Sequence, residues 1–303
     1  MKKLIIYVFS GTGNTLKIAS LYQDYLKDEY QTQIYLIDGE NENIPSPHDF
    51  DLIGLGYPIH AFNAPEIFCD FLKKLPNSDK PVFIFKSSGE GLHLNDCSSQ
   101  KSIGILEKKG YQVFMERHYV MPYNMIFRHN DPMVKQMWIY AKAMAKLNCR
   151  EILRGDKEKV RIGVLRKWYA PLFRIEWIYA KLQGPFMKVD SKKCIGCNKC
   201  IDNCPTHNID MRNGKIRFHN KCTLCVRCSF NCPTSAISIG LLNGWKVNGQ
   251  YPIEELANDE NLTFPYIGKE DKGVYKMYRK YYSECNQKLK AAGMLDEVKE
   301  KEA

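Results

Sequence analysis

Eight of the twelve cysteines fall within 39 residues and follow one spacing twice. The first run has the pattern C-x2-C-x2-C-x3-C-P and contains Cys194, Cys197, Cys200 and Cys204. The second run repeats the pattern 28 residues later with Cys222, Cys225, Cys228 and Cys232. A tight loop with a cysteine at every third position can point three thiolates at three irons of one cubane, and the fourth ligand then comes from elsewhere. The spacing therefore indicates [4Fe–4S] chemistry.

Zinc is the weaker alternative for these cysteines. Structural zinc generally uses two separated C-x2-C pairs per ion, not three evenly spaced cysteines followed by C-P. The remaining cysteines are isolated in the sequence, and we expect each to be a packed thiol: Cys69, Cys97, Cys149 and Cys285. Dense cysteine usage in a chain without a recognisable signal peptide favours metal over disulfides.

Residues 187–240 resemble a bacterial-type ferredoxin with two [4Fe–4S] clusters. The resemblance implies that the fourth cysteine of each run ligates the cluster of the other run. One cluster would take Cys194, Cys197, Cys200 and Cys232. The other would take Cys222, Cys225, Cys228 and Cys204. The similar segments 208–210 and 236–239, at matching positions after the two runs, favour an internal duplication.

The N-terminal segment has the pattern of a phosphate site. Residues 4–9 are apolar, β-branched or aromatic, as expected of a central parallel strand, and a helical pattern runs on to about residue 25. The loop between them consists of Ser10, Gly11, Thr12, Gly13, Asn14 and Thr15. Backbone N–H groups at a helix start and its positive dipole end favour an anion. The loop lacks the lysine of a P-loop and the third glycine of a dinucleotide motif. A plain turn is the alternative.

Strands and helices alternate after this loop. Strand patterns lie near 33–37, 52–56, 82–85 and 112–119, with helical patterns near 65–74 and 98–109. This alternation predicts an α/β fold with a doubly wound five-stranded parallel sheet, whose ligand binds at the carboxyl ends of the strands. The loop after the third strand contains Tyr57, Pro58, Ile59, His60, Ala61 and Phe62. The loop after the fourth contains Ser87, Ser88, Gly89, Glu90 and Gly91.

The N-terminal region resembles flavodoxin, which implies FMN as its cofactor. By that resemblance the phosphate would be held by Ser10, Thr12, Gly13, Asn14 and Thr15. The loop of residues 57–62 would cover one side of the isoalloxazine, and 87–91 would approach its other edge. The fourth-strand loop departs from the family because it lacks an aromatic residue, which would leave one ring face open. For His60 and His93, a hydrogen-bonded or solvent-exposed histidine is favoured over a proton donor.

The sequence predicts four parts. They are a flavodoxin-like unit (1–155), a basic aromatic helical connector (156–186), a small α+β 2[4Fe-4S] ferredoxin unit (187–240) and an extension (241–303). Residues 151–188 contribute 9 basic and 4 acidic residues to a net charge of +10. A connector helix packed between the two units is favoured over a membrane-surface or partner-docking helix across 161–182. A charged helix is predicted over 271–302, with a stripe of Tyr275, Tyr278, Tyr282 and Cys285 that is typical of packing.

The whole chain resembles the flavodoxin–ferredoxin fusion proteins of anaerobes. That resemblance implies an electron-transfer protein, with acidic redox proteins as partners attracted by the basic surface. The alternative is an FMN-dependent reductase of a small organic substrate, fed through its own clusters, with catalytic residues unknown. No nucleic-acid-binding motif and no apolar run long enough to cross a bilayer are present in the sequence. We expect a cytoplasmic protein.

Overall fold

A five-stranded parallel sheet forms the N-terminal half of the chain. The computed structural model describes residues 1–39, 43–158 and 169–299, except for the side chains of residues 169 and 170. The strands are β1 (Lys2–Val8), β2 (Tyr30–Leu36), β3 (Leu52–Pro58), β4 (Pro81–Ser88) and β5 (Gln112–Val120). Their spatial order is β2-β1-β3-β4-β5, and all neighbours pair in parallel. This is the flavodoxin-like order, so the predicted fold class is confirmed.

Helices cover both faces of this sheet. Its helices are α1 (Asn14–Leu26), α2 (Glu66–Lys74), α3 (Gln100–Lys108) and α4 (Asp131–Arg154). Side chains of β1 alternate between two cores, because successive residues of a strand point to opposite faces. Leu4 and Ile6 join the core that contains α1 and α4, whereas Ile5 and Tyr7 join the core that contains α2, and all four are fully buried.

Helix α4 begins behind a capping asparagine. The Asn130 side chain accepts a hydrogen bond from the Met133 backbone N–H at 3.1 Å. Asp131 lies in the first turn, where its charge favours the positive end of the helix dipole. Gly155 ends the helix with a left-handed φ of 77°, a conformation that glycine adopts without steric cost.

The two cysteine runs form a small unit with repeated elements. Each run contains one turn of helix, α7 (Lys199–Asp202) in the first and α8 (Arg227–Phe230) in the second. Strand β6 (Lys188–Val189) pairs antiparallel with β9 (Ile237–Ser238), and β7 (Ile209–Arg212) forms a hairpin with β8 (Lys215–Phe218). The duplicated sequence thus folds into duplicated local structure.

Two short helices, α5 (Tyr169–Phe173) and α6 (Ile175–Gln183), precede this unit. Part of the predicted 161–182 helix, residues 161–168, lies outside the described residues. On the part that is described, apolar side chains are strongly exposed, with 70% of Leu172, 69% of Ile175 and 63% of Leu182 accessible to solvent. Among the helices of the described residues, none is both long and apolar enough to cross a membrane.

The C-terminal segment returns to the flavodoxin-like unit and completes its core. It contains α9 (Ile253–Asn258) and α10 (Arg279–Ala291). The core around α4 buries these side chains of the segment: Val247, Tyr251, Ile253, Phe264, Tyr278, Tyr282 and Leu289. The predicted helix over 271–302 is wrong in extent, because 3-10 turns occupy Gly273–Tyr278 and Leu295–Val298, and residues 300–303 lie outside the described part. The tyrosine stripe packs, as expected.

Candidate functional site

A cavity of about 540 Å³ lies at the carboxyl end of the sheet, beside the β1–β3 switch point. The loops after β1, β3 and β4 line it, as expected for this fold. Predicted residues in its lining are Ser10, Gly11, Thr12, Asn14, Thr15, Pro58, Ile59, His60, Ala61, Phe62, Ser87, Ser88, Gly89 and Glu90. Three further predicted residues, Gly13, Tyr57 and Gly91, do not contribute to the lining.

The three residues outside the lining have other contacts. Gly13 caps α1 with a left-handed φ of 100°. The Tyr57 ring is fully buried below the cavity, where it packs on Phe68 with ring centroids 4.7 Å apart. Gly91 lies under Tyr281, whose Cβ would be 2.5 Å from a Cβ on this glycine. These three residues therefore support the loops and do not face the cavity.

The loop after β1 is held by its own hydroxyl groups. The Ser10 hydroxyl accepts hydrogen bonds from the backbone N–H of Gly13 at 3.2 Å and of Leu16 at 3.3 Å. The Thr15 hydroxyl lies 2.8 Å from that of Ser87, which ties this loop to the end of β4. The first turn of α1 carries no acidic residue, so the positive end of its dipole is uncompensated next to the cavity. The geometry suits a phosphate.

An aromatic ring reaches the fourth-strand loop from another loop. A Cβ on Gly89 would lie 2.0 Å from the Tyr123 ring, so the ring packs directly on this glycine. Tyr123 follows β5 and lines the cavity. The sequence places no aromatic residue in the 87–91 loop, and the structure supplies one from the next loop along the chain.

A hydrogen-bond chain from the C-terminal segment fixes both partners of this contact. The Tyr123 backbone N–H donates to His129 Nδ1 at 3.1 Å, and His129 Nε2 lies 2.8 Å from the Tyr278 hydroxyl. The Tyr278 hydroxyl donates to the Gly89 carbonyl oxygen. Burial lowers the pKa of His129 to about 3, so the neutral ring accepts at Nδ1 and donates at Nε2, as this chain requires.

Several ionisable side chains in the cavity have pKa values shifted by burial, and Glu176 and His60 are two of them. Desolvation, with a smaller contribution from the charge of Glu66, raises the pKa of Glu176 to about 7. Desolvation lowers the pKa of His60 to about 4. Both shifts favour the neutral form, so near neutral pH the imidazole is uncharged and the carboxyl changes between its protonated and ionised forms.

The eight cysteines of the two runs gather around two separate cavities. One is lined by Cys204, Cys222, Cys225 and Cys228. The other is lined by Cys194, Cys197, Cys200 and Cys232, and Cys228 lines this cavity as well. The structure thus brings together the two groups of four that the ferredoxin resemblance implies. Among the described residues, no three His, Cys, Asp or Glu side chains converge as ligands of a single metal ion would.

The surroundings of the sulfur atoms suit thiolate ligands. Backbone N–H groups donate to Cys204 from Asn208 and to Cys232 from Ala236, each at 3.3 Å and each four residues after its cysteine. Such N–H···S bonds are one determinant of cluster potential. Burial raises the pKa of Cys222 to about 12, so a thiolate there needs a cationic partner such as iron. The residues present therefore fit iron–sulfur clusters.

The second cysteine run touches the loop after β1. The Arg227 guanidinium donates to the carbonyl oxygens of Ser10 at 2.7 Å and Gly11 at 3.0 Å. A Cβ on Gly11 would lie 2.6 Å from the Cys225 carbonyl oxygen, so the two backbones are in contact. Leu224, one residue before Cys225, lines the large cavity. The two candidate cofactor sites are therefore adjacent.

Several cavity residues were not predicted from the sequence. They belong to the loop after β5, to the connector and to the segment after β9, and they are Met121, Pro122, Tyr123, Asn124, Met125, Ile126, Phe173, Glu176, Tyr179, Leu242 and Trp245. The loop after β5 could have been predicted, because it also follows the carboxyl end of a parallel strand, where ligands bind in this fold. The remaining residues come from distant parts of the chain and carried no local signal.

A family model for a 4Fe-4S dicluster domain matches residues 186–233. A flavodoxin of Buchnera aphidicola subsp. Acyrthosiphon pisum is 36% identical over 91 residues, which cover 28% of this chain and 50% of that protein. An uncharacterized protein of Methanocaldococcus jannaschii is 31% identical over 116 residues, which cover 38% of this chain and 73% of that protein. The chain belongs to the family of this archaeal protein and is a flavodoxin–ferredoxin fusion.

The fusion also resembles solved flavodoxin structures. A flavodoxin of Streptococcus pneumoniae TIGR4 is 15% identical, and the match covers 50% of the fusion and 99% of that chain, with a TM-score of 0.36. The fusion spans half the length of the Buchnera flavodoxin.

Proposed function

We propose that this fusion protein transfers electrons, with two [4Fe–4S] clusters and one FMN as its cofactors. Cys194, Cys197, Cys200 and Cys232 would hold one cluster. Cys222, Cys225, Cys228 and Cys204 would hold the other. The loop after β1 would hold the FMN phosphate, with the ring in the large cavity. When bound, each cluster would carry one electron and the FMN one or two.

The contact between Gly11 and Cys225 carries this proposal. Gly11 belongs to the proposed phosphate loop and Cys225 to a proposed cluster loop, and their backbones touch. Arg227 adds hydrogen bonds across the same junction. Cofactor sites whose loops are in direct contact are expected of a protein that exchanges electrons between the two cofactors. The proposed location is the cytoplasm, because dense unpaired cysteine is typical of reducing compartments.

The test is to measure iron, acid-labile sulfide and released flavin in one anaerobically purified sample. We expect about eight irons, eight sulfides and one FMN per chain. Cys197→Ala should lose roughly half of the iron or more, while Cys97→Ser, which keeps a donor for the Leu94 carbonyl, should retain all of it. Iron without flavin after reconstitution would contradict the FMN part of the proposal.

A reductase is the second candidate, and it is favoured by one observation. The Glu176 carboxyl, whose pKa is raised to about 7, lines the same cavity as the proposed flavin loops together with the His60 ring, so a proton donor would lie next to a bound substrate. Steady turnover of a small acceptor that is lost in His60→Gln or Glu176→Gln, with FMN retained, would support this function. Electron exchange with redox proteins alone would exclude it.

A further inference from the structure

The two cysteine runs have the same spacing but opposite exposure. At the centre of the second run, exposed fractions are 9% for Leu224, 8% for Cys225 and 5% for Val226. The equivalent residues of the first run, 28 positions earlier, are all exposed: Gly196, Cys197 and Asn198. Because the local folds repeat, this difference reflects what covers each run and not how each run is built.

The flavodoxin-like unit covers the second run. A Cβ on Gly11 would lie 2.6 Å from the Cys225 carbonyl oxygen, so the loop after β1 contacts the backbone of the second run. The Arg227 side chain, one position before Cys228, donates to the carbonyl oxygens of the loop after β1. The loop of the second run is therefore the face that binds another redox unit of the same chain.

Lys199 occupies the position in the first run that Arg227 occupies in the second. Lys199 is exposed, and its side chain forms no ion pair with any residue in the described ranges. The duplicated loop thus presents a cation at the same place, but without an intramolecular partner among those residues.

The surface around the first run combines an apolar centre with positive charge. Ile195 is 67% exposed and lies between two of the proposed ligands. Lys192, Lys193 and Lys199 are exposed beside it. Across 188–202 there are four lysines and two acidic residues. One of the acidic residues, Asp190, accepts a hydrogen bond from the Lys192 backbone N–H at 2.9 Å.

Granted the two clusters of the proposed function, we propose that this loop is the docking surface for a small acidic redox protein. We name the surface formed by Lys192, Lys193, Ile195 and Lys199 the entry face. An apolar centre with a charged rim is the usual form of such an interface, and charge complementarity selects an acidic partner. The internal precedent is the second run, whose equivalent loop already binds a redox unit.

The test compares two triple variants with equal change of charge. One is Lys192→Gln/Lys193→Gln/Lys199→Gln on the entry face. The control is Lys27→Gln/Lys108→Gln/Lys272→Gln, which removes three exposed lysines from the flavodoxin-like unit and the C-terminal segment. The probe is a small acidic [2Fe–2S] ferredoxin, with the dissociation constant measured by surface plasmon resonance at about 50 mM and about 500 mM salt.

We expect the entry-face variant to bind the probe roughly tenfold more weakly at low salt and to lose most of the salt dependence. The control should change affinity by less than roughly threefold, and Ile195→Glu should weaken binding at both salt concentrations. Iron content and visible spectra should be unchanged in all variants.

Equal losses in the two triple variants would overturn the docking surface. An entry-face variant that binds the ferredoxin with wild-type affinity would also overturn it. The same holds if the wild-type protein binds vesicles of anionic lipid and the entry-face variant loses that binding but still binds the ferredoxin. The affinity for the ferredoxin and the iron content are two independent measurements. A wild-type protein without iron would contradict the proposed function, whereas the affinities of the variants would still test the docking surface.

Discussion

Gly11 and Cys225 are in backbone contact, although 214 positions separate them in the sequence. A β-carbon on Gly11 would lie 2.6 Å from the Cys225 carbonyl oxygen, closer than real side chains come. Glycine is required at this place because of the close approach of two chains. The contact has consequences that substitutions can measure.

Gly11→Ala should weaken FMN binding by roughly tenfold, because the added methyl forces the cluster loop and the proposed phosphate loop apart, at a cost of about 1–3 kcal/mol. The dissociation constant can be measured by quenching of flavin fluorescence. Gly104→Ala is the matched control, since a Cβ there meets nothing within 4 Å and Gly104 lies within α3. Equal affinities in the two variants would contradict the importance of the contact.

Arg227→Gln should loosen the junction between the two units. The substitution removes charge-assisted hydrogen bonds to the Ser10 and Gly11 carbonyl oxygens, each of which contributes about 1.5–3 kcal/mol. We expect faster hydrogen exchange in the loop after β1, measured by mass spectrometry. Arg217→Gln, at an exposed site on β8, should leave that exchange unchanged. Protection that stays equal in both variants would show that other contacts hold the junction.

Tyr278→Phe should destabilise the protein by about 1–3 kcal/mol, because it removes the hydroxyl that joins His129 to the Gly89 carbonyl in a buried site. Tyr282→Phe is the matched control. Its hydroxyl is buried without a hydrogen-bond partner in the described part of the chain, so its removal should be neutral or stabilising. Thermal unfolding of the cofactor-loaded proteins distinguishes the two, and an equal loss in both would refute the role of the chain from Tyr123 to Gly89.

FMN affinity should fall as the pH rises through about 7. Burial raises the pKa of Glu176 to about 7, and a ligand that fills the cavity excludes more water and disfavours the ionised form further. Binding is then favoured when Glu176 is protonated, and by linkage the affinity decreases once the carboxyl ionises. His60, with a pKa lowered to about 4, stays neutral across this range.

This pH dependence can be isolated with Glu176→Gln, which cannot ionise. Between pH 6 and 8.5 the wild-type protein should lose roughly threefold more affinity than this variant. The ionisation of the flavin phosphate is common to both proteins and cancels in the comparison. Glu255→Gln, at an exposed position of α9, should follow the wild-type profile. Parallel curves for wild type and Glu176→Gln would exclude Glu176 as the titrating group.

Local spacing predicted the fold and the positions of the cofactor loops. In the cysteine runs and the Ser10–Thr15 loop, the residues of one predicted site are close together in the sequence, so their spacing alone identifies them. The five-stranded sheet followed from alternation of strand and helix patterns and is confirmed. The cluster ligands and flavin loops remain predictions, although the structure gathers nearly all of these residues around three cavities.

What the sequence did not predict depends on contacts between distant segments. Tyr123 packs on Gly89 because two loops that are distant in the sequence meet in space. Neither loop has a periodic pattern from which this contact could be predicted. The 271–302 helix was overestimated because charged residues at helical spacing outweighed Gly273 and Gly293. Both glycines adopt positive φ, at 55° and 67°, and they bound the helical region.

The C-terminal segment has a consequence for how the protein is made. Its side chains complete the core around α4, and its Tyr278 holds the Gly89 loop, yet it is synthesised after the ferredoxin unit. Domains tend to fold in the order in which the ribosome releases them. Here the flavodoxin-like unit cannot complete its core until a segment that is synthesised after the ferredoxin unit has emerged. We therefore expect the cysteine runs to be accessible during synthesis before the large cavity, which Leu242 and Trp245 help to line, is complete.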